Sequence, residues 1–522
     1  MSNNKMEEES NKQISTRTAM MPCGTTTTST TIFESAAYHG LLPREDVQHL
    51  LKTEGDYLLR VSQPNMKSDS RQLIISTLID KGATWNVGIR HVVIHRKSTG
   101  KYFINESTDF DSVEALLDHY KSTQTPLLTN VSNCIIKTPV PREKWELHHS
   151  DIELTKRLGQ GQFGEVHRGK MKKKGRVQDI AVKLAKSSAV TKELIKEMMK
   201  EARMMRSYNH PNVVRIYGVA LDDDPIMIVM ELVKGGSLID YLVRHAGKTT
   251  DAERMNNMIS GSAWGLEYLH SRKCIHRDIA SRNCLYDQNK NIKISDFGLS
   301  REGDSYKMTV ARRVPIKWMA PEILRHFIYT RMSDVFSYGV MIWEIFSDGK
   351  EPFEEKKTAE VKQLLLNGSR LEFPAGTPVE IKDLVTKHLW CEDPKERIKM
   401  PEVVSRLEQI TGVKQPPRPP RPDHDHKKEP KEKEAKDGST RHHHGHGSSH
   451  HHHKEREASK TTVKTVDPTM ATVVDGPNEK GPIESTTKVR RKSSRQTAAP
   501  QSKYARNVTS AGVSSSRAPS PD

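Results

Sequence analysis

Cysteine is scarce in this chain: five residues (Cys23, Cys134, Cys274, Cys284 and Cys391), odd in number and with no CxxC pair. That excludes a disulfide framework and a thiolate zinc site, and it suits a reducing compartment. No stretch approaches the roughly 18 consecutive apolar residues of a membrane-spanning helix. The opening MSNNKMEEES lacks the apolar core of a secretory signal, and Ser2 stands where myristoylation requires glycine. Aromatic residues make up 6% and hydrophobic residues 34% of 522, too few to give the whole length a packed core. These absences predict a soluble, cytoplasmic chain of two to four domains with unfolded stretches.

Charge is plentiful but uneven. The formal net charge is +17. Residues 413–522 carry 22 Lys and Arg against 13 Asp and Glu, so the tail supplies 22 − 13 = +9 of it. A basic tail is compatible with nucleic acid, anionic lipid or acidic proteins, and equally with a solvated segment that binds none of them.

Five regions follow from composition and periodicity. Residues 1–36 are polar, with a Thr/Ser run, and read as disordered. Residues 38–138 read as a compact α+β module. A short helix follows Pro43, with Val47, Leu50 and Leu51 on its apolar side. Strands are expected at Tyr57–Ser62, Leu73–Leu78, Trp85–His95 and Lys101–Ile104, then a helix over Ser112–Tyr120. Residues 139–150 form a linker with Pro139 and Pro141, and residues 151–411 one long unit, strand-rich and then helical. Residues 412–522 are Pro-, His- and Lys-rich without apolar periodicity and read as disordered.

The long unit carries residues suited to phosphate chemistry. Gly159-Gln-Gly161-Gln-Phe163-Gly164-Glu-Val166 sits between strand-like stretches, where glycines let backbone N–H groups approach phosphates. Alone it is equally a structural hairpin. Ile180-Ala181-Val182-Lys183 places one ammonium in an apolar strand, where it needs anionic partners. Glu201, on a predicted helix, offers one. His276-Arg277-Asp278-Ile279-Ala280-Ser281-Arg282-Asn283, Asp296-Phe297-Gly298 and Ala320-Pro321-Glu322 follow in order. A base, oxygen ligands for a metal ion and a cation for phosphates are the parts phosphoryl transfer needs.

This ordered set resembles the protein-kinase signature. The resemblance implies that Lys183 holds the nucleotide's phosphates and pairs with Glu201. It implies that Asp278 accepts the substrate hydroxyl proton, and that Asn283 and Asp296 hold Mg²⁺ (or Mn²⁺) with ATP. Leu158, Val166, Ala181 and Leu285 are expected around adenine, with Gly159, Gly161, Phe163 and Gly164 over the phosphates. Met230 is expected as the gatekeeper, followed by hinge residues Glu231, Leu232 and Val233. Ala280 followed by Arg282, and Val314-Pro315-Ile316-Lys317-Trp318, resemble tyrosine kinases rather than serine/threonine kinases. Departures are Ser281 for the second Ala of HRDLAARN, Phe336 for the Trp of SDVWS, and no Pro after Arg397, which is still expected to pair with Glu322. Tyr306, the only tyrosine between Asp296 and Glu322, occupies the place of the family's activating phosphosite, with Arg277 and Arg301 or Arg312 as its expected partners.

In the smaller module, alternation puts Arg60 and Ser62 on one strand face. An arginine in an apolar strand requires an anion, either an internal carboxylate or a bound phosphate. The surrounding sequence resembles SH2 domains. Tyr57-Leu58-Leu59-Arg60-Val61-Ser62 stands for FLVRES, which implies a phosphotyrosine pocket of Arg44, Arg60, Ser62 and His91. Ala37 and Val61 depart from the family's usual Trp and acidic residue. Arg90-His91-Val-Val-Ile94, Lys144-Trp145-Glu146-Leu147 and Ile228-Val-Met230-Glu231-Leu232-Val233 are similar to the Fes/Fer subfamily, in a short form without the membrane-bending F-BAR region. The expected architecture is therefore multidomain: an α+β SH2 domain, then a bilobal protein-kinase domain, between disordered tails.

The resemblance implies a non-receptor protein-tyrosine kinase acting on tyrosine-containing proteins and docking phosphotyrosine proteins. The alternative is an SH2 scaffold with vestigial catalysis. About 14 residues join Lys137 to Asp151, a tether of at most about 50 Å, and the resemblance implies that the SH2 domain lies beside the helix carrying Glu201 and activates the kinase. In the tail, Pro416-Pro417-Arg418-Pro419-Pro420-Arg421 fits an SH3 ligand. The cluster His442–His444, His446 and His450–His453 is a loose metal binder or polar filler, and Arg490-Arg491-Lys492-Ser493-Ser494 a phosphosite or weak nuclear signal. Peripheral recruitment to the plasma membrane stays open.

Overall fold

The computed structural model describes residues 35–62, 71–160, 164–173, 175–185, 191–309 and 314–417. Gly161, Phe163, Arg312, residues 1–34 and the tail signals from Arg418 onward lie outside the described residues.

The first domain is a five-stranded sheet between two helices. Its strands are β1 (Asp56–Ser62), β2 (Gln72–Leu78), β3 (Ile89–Arg96), β4 (Tyr102–Phe103) and β5 (Thr138–Pro139), in the order β4-β3-β2-β1-β5. Period-two alternation gives each strand two loyalties. Tyr57, Leu59, Ile75 and Val92 pack against Val113, Leu116 and Tyr120 of α2 (Val113–Thr123). Ser112 caps that helix, its side chain accepting from Ala115 N. Leu58, Leu78 and Ile89 face the other way, toward Val47 of α1 (Arg44–Leu50) and Leu51 just beyond it.

Two sequence expectations are corrected here. Trp85–Gly88 is one helical turn, not the start of a strand, because Val87 N and Gly88 N both donate to Thr84 O. Of Lys101–Ile104 only Tyr102–Phe103 pairs in the sheet; Tyr102 also exchanges backbone hydrogen bonds with Phe110.

The second domain has an upper six-stranded sheet and a lower helical lobe. The upper strands are β6 (Glu146–Leu147), β7 (Ile152–Gln160), β8 (Gly164–Lys173), β9 (Arg176–Ala185), β10 (Ile216–Ala220) and β11 (Met227–Glu231), in the order β6-β10-β11-β9-β8-β7. Against them lies α3 (Lys192–Arg206), capped by Thr191. Its buried residues Ile195, Met198, Met199, Ala202 and Met205 recur every three to four positions, the spacing of one helix face. Below are α4 (Leu238–Arg244), α5 (Ser260–Ser271), α6 (Pro321–His326), α7 (Arg331–Phe346), α8 (Thr358–Leu366), α9 (Val379–Leu384) and α10 (Met400–Thr411). α7 is buried over most of its length, with Phe336 1% exposed. The smaller ring at position 336 leaves no loose site: Trp390 lies 6.3 Å away and the Arg397 guanidinium 5.1 Å away.

The segment between the domains is not a free tether. Pro139 pairs with Tyr57 of β1, and Glu146–Leu147 run parallel to Val219–Ala220 of β10. Between these anchors, Arg206 lies over the Trp145 ring at 4.5 Å, and Trp145 O accepts from Val219 N. One hydrophobic core joins Val47 of α1 and the neighbouring Leu51 to Ile195, Met198 and Met199 of α3.

Candidate active site and phosphate reader

Strand pairing brings the upper half of the catalytic cleft together. On β9, Lys183 lies opposite Val166 of β8 and Ile228 of β11, while Ala181 lies opposite Met230. Gly164 lets β8 approach β9: a Cβ there would sit 1.8 Å from Leu184 O. Leu285 enters from below on β12 (Cys284–Tyr286), which pairs with β13 (Ile292–Ile294). Leu158 is half exposed, and Gly159 pairs with Val166. The Glu231 carboxylate is already engaged, accepting from Arg215 N at 2.8 Å and pairing with Lys293 at 3.0 Å. Its contribution to a ligand would therefore be through backbone. Val233 is half-buried beside it.

Lys183 Nζ donates to both oxygens of Glu201, at 2.7 and 2.9 Å, and lies 3.6 Å from Asp296 Oδ1. Burial works against the ammonium, yet the two carboxylates outweigh it and hold the Lys183 pKa above its ordinary value.

The catalytic loop is pinned from beneath. Asp334, on α7, accepts from His276 N at 2.7 Å and Arg277 N at 2.8 Å. Glu344, fully buried on the same helix, accepts from Ser281 N at 3.0 Å and Ser281 Oγ at 2.7 Å. Ser281 thus supplies a hydroxyl donor that alanine lacks. Arg282 donates to Asp278 and stacks on the Trp318 ring at 4.1 Å. Asn283 Nδ2 donates to Asp278 O at 2.8 Å, which turns its amide oxygen to other use. Asp296 has φ +59° and Arg277 φ +72°, left-handed backbone that non-glycine residues adopt only where the fold compels it. Asp296 is half exposed beside Lys183, and the Phe297 ring packs on His276 at 5.1 Å. An amide oxygen and a carboxylate suit a hard divalent cation shared with phosphates. Among the described residues no three His, Cys, Asp or Glu could hold a metal by themselves.

Tyr306 lies on β14 (Ser305–Lys307), opposite Tyr329 of β15 (Ile328–Thr330). The Arg277 guanidinium sits 4.4 Å from the Tyr306 ring and Arg301 5.1 Å from it. Arg397 holds Glu322 through two hydrogen bonds of 2.7 Å.

In the first domain Arg60, 3% exposed, donates from Nε to Ser76 Oγ at 3.0 Å. Ser76 Oγ lies 2.8 Å from His91 Nδ1. The His91 ring is neutral near pH 7. Burial first, then the charges of Arg60, Arg44 and Arg90, push the His91 pKa down to about 3. His91 Nε2 is buried without a hydrogen-bond partner among the described residues. Burial and Arg44 likewise lower the Arg60 pKa to about 10. Arg44 rests over the Trp85 ring at 5.5 Å, and Ser62 ends β1 on the same face as Arg60. A pocket that strips cations of water, with no carboxylate salt-bridged to Arg60 or Arg44 among the described residues, is suited to a dianion. Ser76 was not singled out by its sequence, although its place two residues after Ile74 on a central strand marks it as a buried hydroxyl.

Comparison with known proteins agrees with this geometry. A family model described as protein tyrosine and serine/threonine kinase matches residues 152–407, and one described as SH2 domain matches residues 38–120. Fer-related kinase 1 of Caenorhabditis elegans is 36% identical over 375 residues, covering 72% of this chain and 93% of that protein. Tyrosine-protein kinase Fer of Rattus norvegicus is 35% identical over 379 residues, 72% of this chain but 43% of Fer. Spermatocyte protein spe-8 of Caenorhabditis briggsae is 36% identical over 319 residues, 61% of this chain and 59% of that one.

Proposed function

The chain belongs to the Fes/Fer-type protein tyrosine kinases, with an SH2 domain ahead of the catalytic domain, and on that premise we propose how its residues divide the work. The enzyme transfers the γ-phosphoryl group of ATP to tyrosine hydroxyls of proteins. Proteins bearing phosphotyrosine are the SH2 domain's partners.

Lys183, kept charged by Glu201, grips the nucleotide phosphates. Asp278 orients the tyrosine hydroxyl and takes its proton; Arg282, braced on Trp318 and held to Asp278, offsets charge on the transferring group. Asn283 and Asp296 hold Mg²⁺ or Mn²⁺, which neutralises charge on the phosphates when bound. Val166, Ala181, Leu285 and Leu158 enclose adenine, with Met230 behind it and the Glu231–Val233 backbone at its edge. Arg60, Ser62, Arg44 and His91 read the phosphotyrosine. Positioning and electrostatic stabilisation carry most of such a reaction, so these residues account for the rate.

The reading is carried by one observation: Lys183 pairs with Glu201 while Asp296 stands 3.6 Å from the same ammonium. A vestigial site would have no need to keep this buried charge network. The protein acts in the cytoplasm. Among the described residues no helix is long and apolar enough to cross a membrane. An SH3 partner at 416–421 and recruitment to the plasma membrane are further proposals that rest on sequence alone.

Purified protein with ATP and Mg²⁺ should phosphorylate a tyrosine peptide, and Lys183→Met or Asp278→Asn should lower that rate by several orders of magnitude without unfolding the chain. Full activity in a folded Asp278→Asn protein would sink the assignment.

A further inference from the structure

A small open cleft runs between the two domains, and both of its walls carry cations. The SH2 wall presents Arg44, Ser62 and Arg71, while the kinase wall presents Lys192 and Lys196 of α3, with Ile195 between them. No acidic side chain lines it among the described residues. Arg44 and Ser62 are two of the residues assigned to phosphotyrosine above, so the reader's pocket opens toward the helix that carries Glu201.

The charges across this cleft are not balanced. Arg71 is paired with Asp224. Lys196 reaches Glu45 Oε1 at 2.7 Å. The other Glu45 oxygen is buried with no hydrogen-bond partner among the described residues. Lys192 is half-buried and has no acidic partner among the described residues. Asp224 and Glu45 thus engage two of the four cations, while Arg44 and Lys192 have no acidic partner among the described residues, an arrangement suited to further negative charge.

We propose that Lys192 and Lys196 of the kinase helix α3 are ligands of the phosphate that the SH2 domain reads, so that the phosphotyrosine site is complete only when the two domains are docked. The proposal rests on the phosphotyrosine reading of Arg60. It also supplies what activation by a ligand requires. A phosphopeptide can favour the docked form only if it binds that form more tightly than the undocked one. Two lysines that leave the site on undocking provide that difference. The bound phosphate then holds α3, and with it Glu201, toward Lys183.

The test uses the full chain and a fluorescent phosphotyrosine peptide, with the unphosphorylated peptide and inorganic phosphate as control arms. The Lys192→Ala/Lys196→Ala protein should bind the phosphopeptide roughly tenfold more weakly at low salt. The loss should shrink as salt rises, because half-exposed charges are screened. Lys192→Ala alone, which breaks no ion pair among the described residues, should still lose about threefold, and Lys192→Arg should restore binding. The rise in melting temperature on adding phosphopeptide should be smaller in the double variant than in the wild type. Wild-type affinity in both lysine variants, with Arg60→Leu abolishing binding, would overturn the shared site and leave the SH2 reading intact. A wild-type chain that fails to distinguish phosphorylated from plain peptide would overturn both.

Discussion

Arg203 Nη1 donates to both carboxylate oxygens of Asp46, at 2.6 and 2.5 Å, and so ties helix α3 of the kinase to helix α1 of the SH2 domain. Two residues earlier on α3, Glu201 reaches the opposite way to Lys183. One rigid helix therefore carries an interdomain ion pair on one face and the catalytic ion pair on another. Val47, Leu51, Ile195 and Met198 belong to one continuous hydrophobic core spanning the same junction. We propose that holding α3 in place keeps the Lys183–Glu201 pair closed, so that the SH2 domain supports catalysis.

Arg203→Ala should lower peptide phosphorylation several-fold without touching any group in the cleft. Arg203 is about one-third exposed, so the pair is worth on the order of 1 kcal/mol rather than the larger cost of breaking a fully buried one. For the same reason residues 145–412 should be slower than residues 36–412. Initial rates at saturating ATP measure both. Equal rates throughout would reduce the SH2 domain to an address tag.

The reader makes a pH prediction whose sign follows from His91. Its folded pKa, about 3, is below its ordinary value, so the unfolded chain binds a proton between about pH 6.5 and pH 3 that the folded domain refuses. Stability contributed by the neutral ring is present above that window and is lost as pH falls through it, with a slope of at most about 1.4 kcal/mol per pH unit. His91→Gln should flatten the slope between pH 6.5 and 4 in denaturation of the SH2 transition. Arg60→Leu should abolish phosphopeptide binding, since several charge-assisted hydrogen bonds are lost at about 1.5–3 kcal/mol each. Calorimetry giving unchanged affinity would make Arg60 a purely structural residue.

Tyr306 already rests against Arg277 and Arg301. A phosphate on its hydroxyl would exchange ring contacts for charge-assisted hydrogen bonds to the same guanidinium groups, ordering the segment through Arg277, whose backbone is pinned by Asp334. Tyr306→Phe should therefore abolish the rise in activity that follows preincubation with ATP. A variant that still accelerates like wild type would place the switch elsewhere.

Much of the site was legible because its chemistry is local in sequence. His276 to Asn283 is one loop, and the buried cation in each of the strands around Arg60 and Lys183 announces an anion. The family resemblance then placed the SH2 domain beside α3, where the contact of Asp46 with Arg203 lies. What escaped were partners brought together only by folding. Asp334 holds the loop from 57 positions away, and Ser76 reaches Arg60 across a strand register. His39 is another. It is 1% exposed, with Nδ1 2.7 Å from Glu146 and Nε2 3.0 Å from Val140 O, closing the segment read as a linker. Trp85–Gly88 misled because its apolar residues fit a strand, while its backbone hydrogen bonds close a turn.

The sharpest probe of docking is a glycine. Gly40 has φ +59°, and a Cβ there would stand 2.0 Å from Leu221 O of the kinase domain. The next residue, Leu41, donates its N–H to that same oxygen at 2.7 Å. Backbone meets backbone at this point, so neither side can yield by turning a side chain. Gly40→Ala must therefore push the SH2 domain off Leu221, breaking the Leu41 hydrogen bond and drawing Asp46 away from Arg203. Left-handed backbone at a non-glycine residue adds about 1–2 kcal/mol of strain. The variant should lose catalytic rate at least as far as Arg203→Ala does, while Arg60 still captures phosphopeptide, though more weakly. The two substitutions break one junction, so the double variant should be no slower than Gly40→Ala alone. Independent, multiplying losses in that cycle would mean that Gly40 and Arg203 act on the enzyme by separate routes.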